Sequence, residues 1–462
     1  MMRIAVIGGG VSGLAAAYTL EKNRRKGVQV DYVLFEASAR FGGVIRTERA
    51  GDFVIEAGPD SFLTEKTWAR NLCCELGLED QLIPSNDAGR RTYIFLNGRL
   101  VPLSDGLTFM IPTKLRAALF SPLFSWPTRL RMIGEWFYRP AHETRESSVA
   151  EFVERHYGRE MVERVADPLL AGVYGGSADE LSVTSVLPRF AEIEAKHGSL
   201  TRAMVRSRKL HRAPQPALFT SLRDGMQSMT DAVTKQIPEA ARRAEAPVDA
   251  LKPESGKWMV ITRSRTEEFD GVIPALGAHG AARLFRSDLP QLSSELDHIT
   301  YSSSIVAALA YDQSVRASLP KGFGLLVPRQ EGKRILACTF VHQKFPHRAP
   351  ENSALLRCFV GGSRDEAAMQ LSEEEMENIT RRELREILGV TAEPMLVKTF
   401  RWPRAMAQYG IGHKARIERI GRLVSSIRGL ALAGNAFGGI GIPDCIRSGF
   451  EAVAKVMADL GM

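Results

Sequence analysis

Apolar and polar positions follow two different periods along the chain, and the switching between them predicts three kinds of segment. Residues 1–60 open with a short apolar run, Arg3–Ile7, then an Ala-rich helical stretch, Ser12–Glu21. A second strand-like run, Val28–Phe35, follows, and Gly42–Gly43 break the chain. Between about residues 100 and 212 the period lengthens, and Lys114–Leu119, Thr128–Tyr138, Val149–Tyr157 and Glu160–Val165 read as helices punctuated by prolines. From Phe219 the pattern reverts: Asp224–Gly225 is a turn, Met226–Gln236 a helix, and Val248–Leu251, Lys257–Arg263 and Glu268–Ile273 are short strands. Strands at Ser304–Tyr311, Leu325–Val327, Ile335–Phe340 and Ala354–Val360 precede a charged helix, Ser372–Leu388, whose Ser372 and Glu375 have capping-box spacing. The tail repeats the opening theme with strand Leu430–Ala433, a glycine-rich turn and helix Asp444–Leu460.

The first turn carries chemistry. Gly8-Gly9-Gly10-Val11-Ser12-Gly13 fits G-x-G-x-x-G between a strand and a helix. The first glycine permits a tight turn, the second lets a pyrophosphate approach the backbone, and the third lets helix pack on strand. The helix start then offers free N–H groups and a partial positive charge to phosphates. Glu36 ends the second strand where a carboxylate accepts both ribose hydroxyls, which argues against a 2′-phosphate and so against NADP. The run Glu36-Ala37-Ser38-Ala39-Arg40-Phe41-Gly42-Gly43 extends the site. Arg40 is in reach of phosphate, and Gly42, Gly43 and Val44 offer backbone contact. This E-A-x-x-R-x-G-G signature resembles the flavin amine oxidase superfamily and favours FAD over NAD. No second G-x-G-x-x-G follows a strand, so no separate nicotinamide domain is expected, and electrons leave most simply to oxygen. At the far end, Gly434 closes a strand, and Ile440, Gly441 and Ile442 lead into a helix whose positive end would face the flavin.

Bulk properties narrow the picture. With 462 residues the chain exceeds the roughly 250–300 residues of a single core, so two or three domains are expected. A composition that is 44% hydrophobic and 25% charged is that of a globular enzyme. No apolar run approaches the ~18–20 residues of a membrane span, and the opening residues lack a leader pattern, so a cytoplasmic protein is expected. Five cysteines without metal-type spacing fit a reducing compartment and no metal site. The +8 charge is spread along the chain, which disfavours nucleic acid. One cluster, Arg202, Arg206, Arg208, Lys209, His211 and Arg212, is either a solvated face or a contact for anionic substrate or lipid headgroups.

Further motifs carry a more specific likeness. Glu56-Ala57-Gly58-Pro59-Asp60-Ser61-Phe62-Leu63, Asp167–Gly176, Gly322–Pro328, Phe345–Pro350 and Gly441–Ile446 together resemble the oxygen-dependent protoporphyrinogen/coproporphyrinogen oxidases, soluble bacterial branch, along nearly the whole chain. The resemblance implies an α/β plus α fold with three parts. These are an FAD-binding Rossmann-like domain of amine-oxidase type (1–85, 213–281 and 396–462), a mixed-sheet substrate domain (86–99 and 282–395) and an inserted helical domain (100–212). It implies FAD contacts at Gly58, Pro59, Asp60, Ser61, Val248, Trp402 and Ile440–Ile442, and oxidation of a porphyrinogen by oxygen with release of peroxide, in haem biosynthesis. The expected substrate walls are Gly172 and Val173 on one side and Leu326, Phe345 and Phe359 on the other, with Lys66 and Arg91 nominated for the propionates. Thr92 stands where eukaryotic relatives tend to carry arginine. No catalytic side chain is expected, because an electron-rich pyrrole pushes a hydride to flavin with little acid–base help. The segment Leu107–Tyr138, rich in Phe, Trp and basic residues, fits either amphipathic packing or weak peripheral membrane contact. Oligomeric state is open, a homodimer included. Competing readings are a flavin oxidase or desaturase for amines or isoprenoids, and a non-catalytic binder.

Overall fold

Three short apolar strands pair in parallel to start the fold, as expected of segments buried on both faces. In this computed structural model, which describes residues 1–139, 146–210 and 217–462, Met2–Ile7 lies between Val30–Phe35 and Gly271–Pro274, with Arg242–Arg243 at the outer edge. The predicted tail strand Leu430–Ala433 is extended and runs parallel to Gly271–Pro274, with Ala433 N donating to Pro274 O at 3.0 Å. Helix Val11–Arg25 covers one face, and the tail helix Ile442–Asp459 crosses it so closely that a Cβ on Gly449 would stand 2.3 Å from Ser12 O.

One expected strand splits. Within Glu268–Ile273, residues Thr266–Phe269 join an antiparallel three-stranded sheet, whereas Gly271–Pro274 enters the parallel sheet. The change of partner occurs at Asp270, whose N–H donates to Arg3 O at 2.7 Å while its carboxylate accepts from Arg3 N at 2.7 Å.

A seven-stranded sheet forms the second layer, in the order 396–407, 301–311, 354–361, 335–340, 324–326, 92–96, 99–102. Its pairing is antiparallel except between Gly324–Leu326 and Thr92–Leu96. Leu396–Ala407, grouped with the FAD unit on sequence alone, belongs to this sheet, where it pairs along nearly the whole of Tyr301–Tyr311. Helix Glu373–Leu388 seals the outer face with Met376, Leu384 and Ile387, and its predicted capping box is present: Glu375 N donates to Ser372 Oγ at 3.1 Å, and Ser372 N to Glu375 Oε2 at 2.7 Å.

The helical insertion is organised around a buried polar centre. His156 lies between Glu135 (3.1 Å) and Glu194 (3.0 Å), and Glu135 also accepts from Leu200 N at 2.7 Å and Ser199 Oγ at 3.0 Å, which fastens the start of the helix Leu200–Leu210. Arg202, counted in the basic cluster, is a brace that donates to the carbonyls of Trp136 (3.0 Å) and His197 (2.9 Å). The side chains of Arg208 and Lys209, and all of His211 and Arg212, lie outside the described residues.

Burial alone would lower the His156 pKa, but the hydrogen bonds and charges of the two glutamates outweigh it and raise it above the ordinary value. The stabilisation from this charge is therefore complete below about pH 6.5, the unfolded value, and is lost as pH rises through the higher folded value. Calorimetry should show wild-type Tm falling between pH 6 and 9. His156→Gln should cost ~3 kcal/mol at pH 6 and flatten that dependence; an unchanged slope would remove His156 as its source.

Candidate functional site

Glycine is demanded at the first turn by geometry. Gly8 has φ +106°, and a Cβ there would lie 2.5 Å from Ala275 O; one on Gly13 would lie 1.8 Å from Gly8 O. Gly10 differs, since a Cβ would meet nothing within 4 Å. Its backbone faces open space at the start of a helix that has no side-chain cap and no acidic residue in its first turn. Those free N–H groups suit an anion. Glu36 stands beside them, accepting from Gly9 N at 2.6 Å and from Ser38 N and Oγ at 2.8 Å each. The chain from Arg242 to Val248 passes the same strand end, with Ala246 N donating to Glu36 O at 2.8 Å.

From this cradle a cavity of about 1000 Å³ opens between the parallel sheet, the seven-stranded sheet and the helical insertion. Val11, Val44, Gly58–Ser61 and Ile440–Cys445 line one part of it; Gly172, Val173, Leu326 and Phe359 line another. The segment 56–61 is held from several sides. Arg348, fully buried, pairs with Glu56 and donates to Ser221 Oγ (2.8 Å) and Leu222 O (2.9 Å). Trp402 Nε1 donates to Ala57 O at 2.7 Å, and Arg357 donates to Gly58 O. Lys344 Nζ bridges both Asp60 oxygens at 3.0 and 3.1 Å. Burial would raise the Asp60 pKa, but Lys344 and Arg357 hold it far below the usual carboxylate range. On the tail side, Tyr409 Oη donates to Asn435 O at 2.6 Å and accepts from Gly439 N at 2.9 Å, which sets the glycine turn before the uncapped tail helix.

These features fit a dinucleotide with a flat ring at its end, and similarity to known proteins decides which. Residues 11–457 match the model of the flavin containing amine oxidoreductase family. The chain belongs to that family. It is 34% identical to the coproporphyrinogen III oxidase of Bacillus subtilis (strain 168), over 99% of this chain and 98% of that one. It is 30% identical to the mitochondrial protoporphyrinogen oxidase of Nicotiana tabacum, over 99% and 95% respectively. The crystal structure of a protein from Exiguobacterium sp. 255-15 superimposes with TM-score 0.88 at 29% identity, covering 100% of this chain and 99% of that one. Cyclohexylamine oxidase from Brevibacterium oxydans IH-35A, at TM-score 0.71 and 18% identity over the full length of both chains, shares the fold.

FAD is thus the cofactor of this flavoprotein oxidoreductase. Of the residues nominated from sequence, Gly58–Ser61, Trp402, Val44 and Ile440–Ile442 all border the one cavity, as do Gly172, Val173, Leu326 and Phe359. Others are placed differently. The Arg40 guanidinium donates to the carbonyls of Phe41 and Ile45 at 2.9 Å each and to Gly43, so three of its five donors fold the Gly42–Gly43 turn. Phe345 is buried outside the cavity beneath Lys344. Arg91 is exposed away from it, while the adjacent Thr92 lines it, because neighbours in an extended chain face opposite ways. Lys66 reaches the cavity, but its ammonium is bound to Asp444 at 2.6 Å. Sequence reasoning did not single out Lys344, Arg357, Tyr409 or His413, all of which line the cavity. Only the motif around Phe345–Pro350 hinted at the first.

Gly13→Ala should yield a misfolded or colourless protein, because its Cβ collides with backbone. Gly10→Ala should keep its apo-protein Tm yet weaken FAD binding at least ~10-fold, read by fluorescence titration; equal FAD affinity would show that the groove at Gly10 does not hold the diphosphate.

Proposed function

We propose that this chain is an FAD-dependent oxidase that converts a porphyrinogen to the porphyrin, with oxygen as acceptor and hydrogen peroxide as product, as a step of haem biosynthesis. The observation that supports the reading is the apolar lining of the cavity at Gly172, Val173, Leu326 and Phe359, in the same cavity that Gly58–Ser61 border. A flat macrocycle can lie against such a wall, with its carboxylate edges turned outward. Full-length similarity to named porphyrinogen oxidases supports the same substrate class.

When bound, FAD supplies a hydride acceptor that oxygen can re-oxidise. The protein's share is orientation and exclusion of side reactions. Burial pushes the His413 pKa down to about 4, so its ring is neutral near pH 7 and stacks on Tyr409 at 4.1 Å. It holds the tail turn through that stack and offers no proton. Gly172 leaves the wall open: a Cβ there would just touch Leu326, at 3.4 Å. Purified protein given coproporphyrinogen III or protoporphyrinogen IX should generate Soret absorbance and peroxide, and porphyrin no faster than autoxidation would end this reading. Gly172→Leu should raise KM ~10-fold or more with the flavin spectrum unchanged.

The same reading includes peripheral membrane contact. No helix among the described residues is long and apolar enough to cross a membrane. Yet Trp126, Leu130, Ile133 and Phe137 stand exposed at successive turns, beside exposed Phe120 and the bases Arg116, Arg129 and Arg131. That pattern suits an interfacial helix on anionic lipid. Sedimentation with phosphatidylglycerol vesicles should be strong, and Trp126→Ser/Leu130→Ser should reduce it several-fold; equal sedimentation of the double variant would exclude this face.

A further inference from the structure

Two buried cations and one buried carboxylate meet where the seven-stranded sheet touches the flavin segment. Lys344 ends the short helix Val341–Lys344, Arg357 sits within strand Ala354–Gly361, and Asp60 follows Gly58–Pro59. Their side chains are 10%, 2% and 15% exposed, and Asp60 is the only carboxylate within ion-pair distance of either cation among the described residues. Glu56, the other carboxylate acting on Arg357, is paired with Arg348. The cluster therefore carries one surplus positive charge. The Arg357 Nε is buried without a partner. Buried surplus charge is unfavourable unless something anionic faces it.

The surroundings magnify that charge. Lys344 lies over Phe219 at 4.5 Å and Phe345 at 5.2 Å, and Arg357 over Phe359 at 5.0 Å, so aromatic rings replace water around both cations. All three charged residues border the cavity, and Arg357 and Lys344 each bond directly to the segment that lines it. A hydride brings two electrons and one proton, and so leaves one negative charge on a neutral flavin. The geometry points to Lys344, Asp60 and Arg357 as a potential-setting cluster, whose surplus positive charge favours the reduced over the oxidised flavin. The inference rests on flavin binding alone and holds whichever substrate is oxidised.

The test uses holoenzyme without substrate, reduced slowly against a reference dye. Lys344→Met should lower the flavin midpoint potential, a tenfold loss in relative affinity for the reduced form being about 30 mV for a two-electron couple. Asp60→Asn, which adds to the surplus charge, should raise it, and Lys344→Arg should restore it. Sulfite, which adds to oxidised flavin and leaves it negative, should bind at least ~10-fold more weakly to Lys344→Met and more tightly to Asp60→Asn. Damage to the fold would move both variants the same way, so shifts of one sign, or none, overturn the proposal. An unchanged potential with a raised KM for a carboxylate-bearing substrate also overturns it, by assigning the cluster to the substrate. Should Lys344→Met fail to keep flavin, the direction of the Asp60→Asn shift decides alone.

Discussion

Arg348, at the end of the short turn Pro346–Arg348, and Glu56, at the end of strand Phe53–Glu56, form a buried ion pair. Each is almost inaccessible; Arg348 also donates to Ser221 and Leu222, and Glu56 accepts from Met226 and Thr47, while the Arg348 Nε is buried without a partner. A pair of this kind adds little net stability over an apolar contact, yet removing one partner leaves a bare buried charge, at about 3–5 kcal/mol. Two strands of the seven-stranded sheet grip the residues that follow Glu56, Trp402 at Ala57 O and Arg357 at Gly58 O. The segment Glu56–Ser61 is thus held by a sheet that lies hundreds of residues away in sequence.

That distance explains what could be read in advance. The βαβ turn was legible because its constraints are local: Gly8 and Gly13 have no room for a Cβ, and Glu36 meets Gly9 within a single motif. The helix Glu373–Leu388 announced itself through its cap for the same reason. Lys344 and Arg348, at or beside the motif Phe345–Pro350, and Arg357 gave no sign of their partners, since a cation in a sequence is usually a solvated one. Their roles follow from partners about 300 positions upstream, separations of 284 for Lys344 to Asp60 and 299 for Arg357 to Gly58.

Misplacements have equally physical causes. Strand Leu396–Ala407 is only partly buried along most of its length, so its apolar pattern is too weak to declare a sheet. Arg40 lies beside a phosphate-type turn; three of its five donors knit the loop through the carbonyls of Phe41, Gly43 and Ile45. Arg91 and Thr92 show the same limit in a strand. A shift of one residue exchanges the solvent face for the cavity, and nothing local sets the register.

The charges that remain near the flavin divide by helix end. The first helix meets the cradle with no acidic side chain in its opening turn, so its positive end is free for a diphosphate. The tail helix carries Asp444 in its opening turn, which by itself would repel negative charge on the ring. Lys66 at 2.6 Å and Arg447 at 3.8 Å both face it, so its negative charge is more than offset. A lysine that the sequence offered as a substrate anchor therefore has a prior task. Val173, Leu326 and Phe359 give the same cavity an apolar stretch of lining beside these paired charges.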